Sequence, residues 1–411
     1  MDDRAKIRAG IEAAPATREG RDVLVLHDRG GISPDLIVDR GVAPLLALMD
    51  GTQDLRDIQV TLMRRGGLGL VPLDRIQGFV QRLDDHLLLD NARYRDHFRE
   101  LAQAYRLERV RPAAHAGRAY PGEPEPLRRQ IEGYFQPPAG PGPAALNSVP
   151  GRLAGLILPH IDFQRGGPCY AWGYGALKAL DEVDLFVILG TCHLPMELPF
   201  ALTTKAFDTP LGRTPSAEDL AEAIARRAGL DLFRDELAHR AEHTIEFQVI
   251  FLQHLLDGRT DFRILPILCG GFHEMMAQRV LPSAHGPYAR GLEALQEVLG
   301  ASSARVCVIA SADLAHLGPQ FGDGHPIQLS DLGRIEREDK AMLDYVLKGN
   351  ADGFYRHILG EGDRRRICGL PPIYTWLRLL CPGEARLLKY DQAYHPQFTV
   401  TFASIGIWVR G

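Results

Sequence analysis

Short apolar runs alternate with amphipathic stretches over the C-terminal two-thirds of the chain. The apolar runs occupy residues 156–158, 185–189, 262–268, 306–310 and 398–409. Stretches with helical periodicity, such as residues 217–228 and 339–347, separate several of them. Runs that are apolar at nearly every position are typical of strands buried on both faces of a sheet. The alternation predicts an α/β domain with a largely parallel central sheet and helices on both faces.

The last two strand-like runs, residues 386–391 and 399–409, have no helical pattern between them. Parallel neighbours need a crossover connection of a dozen or more residues, whereas antiparallel neighbours need only a short turn. We therefore expect these two runs to pair as neighbouring antiparallel strands.

The N-terminal part of the chain has a different pattern. A strand-like run and three helical patterns follow one another at residues 22–27, 42–49, 55–63 and 73–87. They predict a small separate module over residues 1–94, made of β-structure and three helices. A charged helical connector, residues 95–113, then leads into the main α/β domain, residues 114–411.

Composition excludes several classes of protein. The 411 residues are 45% hydrophobic and 24% charged, and the net charge is -5. A negative net charge argues against a nucleic-acid partner or an anionic membrane surface. Neither a signal peptide nor an apolar run of membrane-spanning length is present, so we expect a cytoplasmic protein. The six cysteines have no C-x-x-C spacing, which argues against a disulfide framework or a structural zinc knuckle.

Three separate segments each supply a metal-binding side chain near the end of an apolar run. They contain His160, His193 and Cys368, and we expect each at a strand end on one edge of the sheet. Two imidazoles and one thiolate leave coordination positions open, as in a catalytic rather than a structural metal site. Taken singly, a histidine at a strand end is more often a hydrogen-bonded structural residue, and a lone cysteine is most often a small buried hydrophobe.

Two further clusters combine acids with histidines. Asp313 and His316 are three residues apart after a strand-like run, so on a helical turn both would face one cavity. Glu242, His243 and Glu246 open a helical pattern. The alternative is that Asp313 and Glu242 merely cap local structure.

Three consecutive arginines, residues 364–366, precede Cys368. Their positive charge would lower the pKa of the Cys368 thiol or attract an anionic substrate. The alternative is a solvated basic turn.

Seven segments together carry a family resemblance. They are His-Ala-Gly-Arg-Ala-Tyr (residues 115–120), Leu-Pro-His (158–160), Ile-Leu-Gly-Thr-Cys-His (188–193), Thr-Pro-Leu-Gly (209–212), Glu-His-Thr-Ile-Glu (242–246), Ser-Ala-Asp-Leu-Ala-His (311–316) and Ile-Cys-Gly (367–369). In this order they resemble the Memo family and, within it, the B proteins of the bacterial AmmeMemoRadiSam system. The resemblance covers about residue 114 to the C-terminus. Separately, residues 48–58 resemble PqqD-like winged-helix modules that bind leader peptides, although a packing role for the N-terminal module is equally open.

The Memo resemblance implies a fold related to the class III extradiol dioxygenases. It implies a metal held by His160, His193 and Cys368, with Asp313, His316 and His243 lining the same cleft. The chain departs from the usual family pattern at two places. Ile-Asp-Phe follows His160 where Ala-Gly-Tyr is common, and His193 stands alone where many relatives have a pair of histidines.

These observations lead to three hypotheses for function. The first is a mononuclear redox enzyme, with Fe(II) as the expected metal and Cu or Zn as alternatives, acting on a small-molecule or peptide substrate. In this hypothesis Asp313 and His316 orient bound groups, and His243 performs acid–base work. The second is a peptide- or phosphopeptide-binding module without turnover, and the third is a zinc-dependent hydrolase. The resemblance also implies partner proteins, namely a radical-SAM protein and other AmmeMemoRadiSam components.

Overall fold

The computed structural model describes residues 4–64, 71–142, 151–179, 183–257, 259, 261–380 and 383–409. The chain forms two compact units. One comprises Met1–Glu108 together with His193–Pro195, and the other comprises Arg109–Cys192 and Met196–Gly411. Among the described residues, no helix has both the length and the apolar character needed to cross a membrane.

The N-terminal unit contains a three-stranded antiparallel sheet and four helices. Its elements are β1 (Ile11–Arg18), β2 (Arg21–Asp28), β3 (Leu36–Asp39), α1 (Ala43–Leu46), α2 (Leu55–Arg64), α3 (Leu73–Asp85) and α4 (Ala92–Leu107). Glu19 and Gly20 both have positive φ, which is the geometry of the tight turn that best joins twisted antiparallel strands. The predicted strand and three predicted helices are present, and β1 and β3 are additional. The winged-helix character of this module stays a prediction.

The second unit is a mixed α/β domain. Its strands are β4 (Val110–Arg111), β5 (Arg152–Leu158), β6 (Leu185–Thr191), β7 (Phe200–Leu202), β8 (Ala206–Thr209), β9 (Gly212–Thr214), β10 (Arg263–Cys269), β11 (Val306–Ser311), β12 (Asp313–Leu317), β13 (Glu384–His395) and β14 (Phe398–Val409). Its helices are α5 (Pro124–Tyr134), α6 (Phe163–Gly175), α7 (Glu218–Ala228), α8 (His243–Leu255), α9 (His273–Gln278), α10 (Gly286–Ala301), α11 (Leu332–Leu347), α12 (Ala351–Gly360) and α13 (Leu370–Leu379).

The central sheet has eight strands in the order β12-β14-β5-β11-β6-β10-β7, with β13 paired to β14. Only β5, β11, β6 and β10 are mutually parallel, and the remaining pairings are antiparallel. The sheet is therefore mixed rather than largely parallel. The expectation failed because the long strand β14 pairs antiparallel with β5, and because β7 and β12 are short strands without a long apolar run. The antiparallel pairing of β13 with β14 is confirmed.

Helices cover both faces of this sheet. On one face α7, α10 and α13 pack over a core that includes Val187, Leu265 and Val308. The indole of Trp376 on α13 is fully buried and donates to the carbonyl oxygen of Val308 at 2.9 Å. On the other face α6 and α8 pack against β5, β6 and β11. The two-sided cover explains why the central strands are apolar at nearly every position.

The parallel strands end at one common edge. In the register of the sheet, Ser311 at the end of β11 lies between Leu158 of β5 and Gly190 of β6. Residues that directly follow β5, β6 and β11 therefore emerge side by side, which is where open α/β sheets carry their ligand sites.

Candidate metal centre

Three histidines meet at the carboxyl edge of the sheet. His160 and His193 each follow a strand by two residues, β5 and β6 respectively, and His243 is the first residue of α8. One nitrogen from each imidazole lies within 4.8 Å of those of the other two, a grouping that could hold a metal ion. Of the predicted ligands, His160 and His193 are thus brought together. His243, which was predicted to do acid–base work, completes the group of three.

A set of buried hydrogen bonds fixes α8 against the strand ends. Thr244 donates to the carbonyl oxygen of Thr191 at 3.0 Å, and Ser311 donates to the carbonyl oxygen of Thr244 at 2.7 Å. Gln248 donates to the carbonyl oxygen of Pro159 at 2.8 Å. These bonds join α8 to β6, β11 and the end of β5, and so they hold the three histidine positions. Sequence reasoning missed them because neutral side chains inside an apolar helix carry no ligand signature.

His160 is 2% exposed, and its ring is oriented by the backbone. Its Nδ1 lies 3.1 Å from the carbonyl oxygen of Ser311. A carbonyl oxygen only accepts, so Nδ1 carries the proton and Nε2 carries the lone pair. Nε2 lies 3.3 Å from Cys368 Sγ and 3.6 Å from Asp313 Oδ2. This is the orientation that metal-binding histidines normally require.

Cys368 lies beside His160, but not at a strand end as predicted. It is in the loop between α12 and α13. The predicted strand is absent because the chain leaves α12 at Gly360 and Pro371 soon starts α13, where a missing N–H is tolerated. Burial raises the pKa of the Cys368 thiol well above its usual range, and the charge of Asp313 adds to the effect. Metal binding would therefore have to displace a proton from this thiol.

The three arginines before Cys368 do not lower the pKa of its thiol, so that interpretation is wrong. Each guanidinium is paired with a carboxylate. Arg364 pairs with Glu338 at 3.1 Å, Arg366 pairs with Asp323 at 2.7 Å, and Arg365 is fully buried against Asp339. Their charges are neutralised locally, and Arg364 and Arg366 are partly exposed, as a solvated turn predicts for most of the three, whereas Arg365 is buried.

His243 is held by the residue before it. Glu242 accepts from the backbone N–H groups of His243 and Thr244, so it caps α8 as the structural alternative proposed. The same carboxylate lies 3.1 Å from His243 Nδ1. Burial would lower the pKa of His243, but the Glu242 hydrogen bond and negative charge, with Asp313 and Glu246 nearby, raise it above its ordinary value.

His115 is a neighbour of the cluster to which no role was assigned. Its ring makes an edge contact with the His243 ring at a centroid distance of 5.7 Å. Its Nε2 lies 2.8 Å from the carbonyl oxygen of Ala241, and burial lowers its pKa. Its place in the motif of residues 115–120 was the only signal.

The Glu246 carboxylate is bound by Arg111 and by the segment that carries His115. Its carboxylate is fully buried and accepts from Arg111, from the hydroxyl of Tyr120 and from the backbone N–H groups of Ala114 and His115. Burial would raise the pKa of Glu246, but the Arg111 charge and these hydrogen bonds hold it below its ordinary value. Glu246 thus anchors the segment that carries His115.

Asp313 and His316 lie on strand β12, so the predicted helical turn is wrong. The chain extends here because β12 pairs antiparallel with β14, with a register irregularity between the two residues. Asp313 accepts the backbone N–H of His160 at 2.9 Å. His316 contacts the carbonyl oxygen of Leu314 and the ring of Phe321. Their assignment to one cavity stays a prediction.

The sequence Ile-Asp-Phe after His160, where Ala-Gly-Tyr is common in the Memo family, has a local structural explanation. Asp162 caps α6 by accepting from the N–H of Arg165, and Ile161 and Phe163 are buried. Phe163 packs against Phe247 of α8 at a centroid distance of 4.8 Å. These residues support the wall behind His160 through packing.

The donor set suits a borderline or soft metal. Imidazole nitrogen and thiolate favour Fe, Cu or Zn, whereas Mg and Ca prefer oxygen ligands. The Nε2 lone pair of His160 faces the Cys368 sulfur, and two further imidazoles lie within reach. The group of His160, His193 and His243 could therefore hold a metal ion, and Cys368 contacts one member of the group.

Fold and site together define an α/β protein that gathers histidines at the carboxyl edge of a mixed sheet. The family model of Memo-like proteins matches residues 111–401. A MEMO1 family protein of Aquifex aeolicus is 29% identical over 377 residues, which are 91% of this chain and 92% of that protein. MEMO1 family proteins of Methanothermobacter thermautotrophicus and Pyrobaculum aerophilum are each 31% identical, over 68% and 72% of this chain and 92% and 98% of their own lengths. The chain belongs to the Memo family.

The relatives differ in how much of this chain they match. The two archaeal relatives are covered almost completely, yet about three-tenths of this chain has no counterpart in them. The Aquifex relative matches nearly the whole chain. Because the family model begins at residue 111, the family fold corresponds to the second compact unit.

Proposed function

We propose that this protein binds one transition-metal ion through His160, His193 and Cys368 and uses it for redox chemistry on a small-molecule or peptide substrate. The observation that carries the proposal is the 3.3 Å contact between Cys368 Sγ and Nε2 of His160, which is itself a member of the three-histidine group. Such a metal would supply Lewis acidity and a one-electron couple. Iron is the metal we propose, with copper and zinc as alternatives.

The remaining polar groups receive distinct roles in this proposal. Asp313 holds the backbone of His160 with one carboxylate oxygen and faces its Nε2 with the other. His243 exchanges protons with bound substrate, because Glu242 raises its pKa above the usual histidine value. His316 lies on the same strand as Asp313, and we assign it to substrate orientation.

The three-histidine grouping also supports a second ligand set, in which His243 replaces Cys368. The two sets differ in a measurable property, because only one includes sulfur. Cobalt bound by a thiolate shows charge-transfer absorption in the near ultraviolet, whereas cobalt bound by imidazoles alone does not. Loss of that absorption in Cys368→Ser, with its retention in His243→Ala, would support the proposed set. Wild-type protein without that absorption, with cobalt binding kept in Cys368→Ser and lost in His243→Ala, would support the three-histidine set.

Metal content of point variants tests the proposal. His160→Ala, His193→Ala and Cys368→Ser should each hold metal well below stoichiometric amounts, because each removes one of three protein ligands. Cys192→Ser and His357→Ala are matched controls, since Cys192 adjoins His193 in the chain and His357 lies on α12 against Glu361. Both controls should keep the wild-type metal content. Unchanged metal in all three ligand variants would refute the site.

The same preparations separate the alternative functions. Tightly held zinc that iron in the growth medium does not displace would favour a hydrolase. Protein that remains without metal under every condition would favour peptide or phosphopeptide binding without turnover. Oxygen consumption with a candidate substrate would support the redox proposal.

A further inference from the structure

We infer that the buried Arg365–Asp339 ion pair is a positioning device that holds Cys368 against His160. The inference rests on the proposed function, because it concerns the geometry of the proposed thiolate ligand. It assigns a specific task to an arginine that neither touches the candidate metal centre nor faces solvent.

The ion pair is completely enclosed. The side chains of Arg365 and Asp339 are both 0% exposed. The guanidinium also donates to Glu361 at 2.9 Å, and Asp339 accepts from the hydroxyl of Tyr390 at 2.8 Å. Arg365 thus connects the loop directly to α11 and the end of α12, and Asp339 extends the connection to β13. A buried pair of charges is costly to form, so it is weak evidence for stability alone and better evidence for a fixed geometry.

The backbone of the same loop is fixed on its other side. The N–H of His316 on β12 donates to the carbonyl oxygen of Arg365 at 2.7 Å. Arg366 donates to the carbonyl oxygen of His316 at 3.1 Å and to Asp323 at 2.7 Å. Residues 365–366 are therefore held from two sides. The Arg365 side chain pairs with Asp339 on α11, and the Arg365 carbonyl oxygen accepts from His316 on β12.

The backbone between Arg365 and Cys368 is short and conformationally restricted. Asp363 and Arg366 both have positive φ, a conformation that non-glycine residues adopt only when their surroundings impose it. Asp363 accepts the N–H of Ile367 at 2.8 Å, and the N–H of Gly369 donates to the carbonyl oxygen of Asp313 at 3.0 Å. Cys368 lies between these two bonds. A shift of the anchored arginine would therefore displace the sulfur relative to His160.

The experiment compares two buried ion pairs. Arg365→Met combined with Asp339→Asn removes both charges together, so neither is left buried without its partner. Lys205→Met combined with Glu236→Gln removes another buried pair, whose atoms lie 2.9 Å apart, and serves as the matched control. Each purified full-length protein is loaded with Co(II) alone. The near-ultraviolet thiolate absorption is measured, and the alkylation rate of Cys368 by iodoacetamide is measured in the metal-free protein.

The positioning variant should bind cobalt through histidine, lose most of the thiolate absorption and alkylate Cys368 severalfold faster than wild type. The control variant should match wild type in both readouts, even if its thermal stability falls. Arg365→Lys should recover part of the absorption, because it keeps the positive charge. Wild-type absorption and alkylation in the positioning variant would overturn the inference. Failure of that variant to fold, where the control folds, would overturn it as well, because the pair would then serve the fold itself.

The test distinguishes this inference from the proposed function. If wild-type protein shows no thiolate absorption and Cys368→Ser changes nothing, the proposed ligand set fails. The alkylation rates would still report whether Arg365 fixes the position of Cys368.

Discussion

His160 is the residue on which the site depends most. Its Nδ1 is committed to the carbonyl oxygen of Ser311 and its backbone N–H to Asp313, so only Nε2 remains for a ligand. The position of this histidine was predictable, because an apolar run followed by Pro159 indicates the end of a strand. The proximity of His243 followed only from the family resemblance and not from its local pattern, since it begins a helix far along the chain and tertiary packing brings it close.

Substitutions at Asp313 should separate its two roles. Asp313→Asn keeps an oxygen that accepts the N–H of His160, so metal should stay bound while the affinity for added anions changes. Asp313→Ala leaves that buried N–H without a partner, which should cost about 1–3 kcal/mol of unfolding free energy. Urea unfolding and elemental analysis of both variants check this. Loss of metal in the asparagine variant would show that Asp313 is itself a ligand.

The buried Arg111–Glu246 pair should make the protein sensitive to acid. The folded-state pKa of Glu246 lies below its ordinary value, so its stabilising contribution is complete above the unfolded-state pKa, about 4.3. The contribution is lost as pH falls through the lower, folded-state pKa. Glu246→Gln should destabilise the protein by about 3 kcal/mol at pH 7, because Arg111 is left unpaired.

The deficit of the Glu246→Gln variant should shrink as the pH falls below about 4. Urea unfolding of both proteins from pH 7 downwards measures this. Glu297→Gln, which removes an exposed partner of Arg227, is the control and should leave stability nearly unchanged. If the difference in unfolding free energy between wild type and Glu246→Gln stays constant with pH, the lowered pKa of Glu246 is contradicted.

At the scale of elements, the contact between α8 and β6 sets the spacing of the histidines. A Cβ at Gly190 would lie 2.6 Å from Thr244 Oγ1 and 2.8 Å from Ile245 Cγ1. Gly190→Ala should therefore separate β6 from the start of α8, costing about 1–3 kcal/mol and weakening metal binding, because His193 follows β6. Gly300→Ala on α10, where a Cβ meets nothing within 4 Å, is the control. Calorimetric unfolding and metal titration of both variants check the prediction. Equal stability and equal metal affinity of the two variants would refute it.

Elements differ in how well the sequence predicts them. The central strands β5, β6, β10 and β11 follow from continuous apolar runs, because burial on both faces requires such composition. Strand β12 does not, since the spacing of Asp313 and His316 suits a helical turn and only pairing with β14 makes the segment extended. The conformation of the loop that carries Cys368 could not be predicted from the local sequence either, because it depends on the buried ion pair between Arg365 and the distant Asp339.

At the scale of the whole molecule, ligand type and metal supply together decide which metal is bound. The general affinity order places copper and zinc above iron for such ligands. We expect Fe(II) to fill the site wherever copper and zinc are tightly buffered, as they are in a reducing cytoplasm. Protein purified in air should instead be empty or contain zinc or copper. Elemental analysis of parallel aerobic and anaerobic preparations checks this, and identical zinc content in both would contradict it.

The most direct test of the metal centre is anomalous diffraction from crystals grown without air, measured above and below the iron absorption edge. We predict one anomalous peak, bounded by His160, His193 and Cys368, that is strong above the edge and weak below it. The absence of any peak there, or a peak that neither His160 nor Cys368 contacts, would contradict the proposed site.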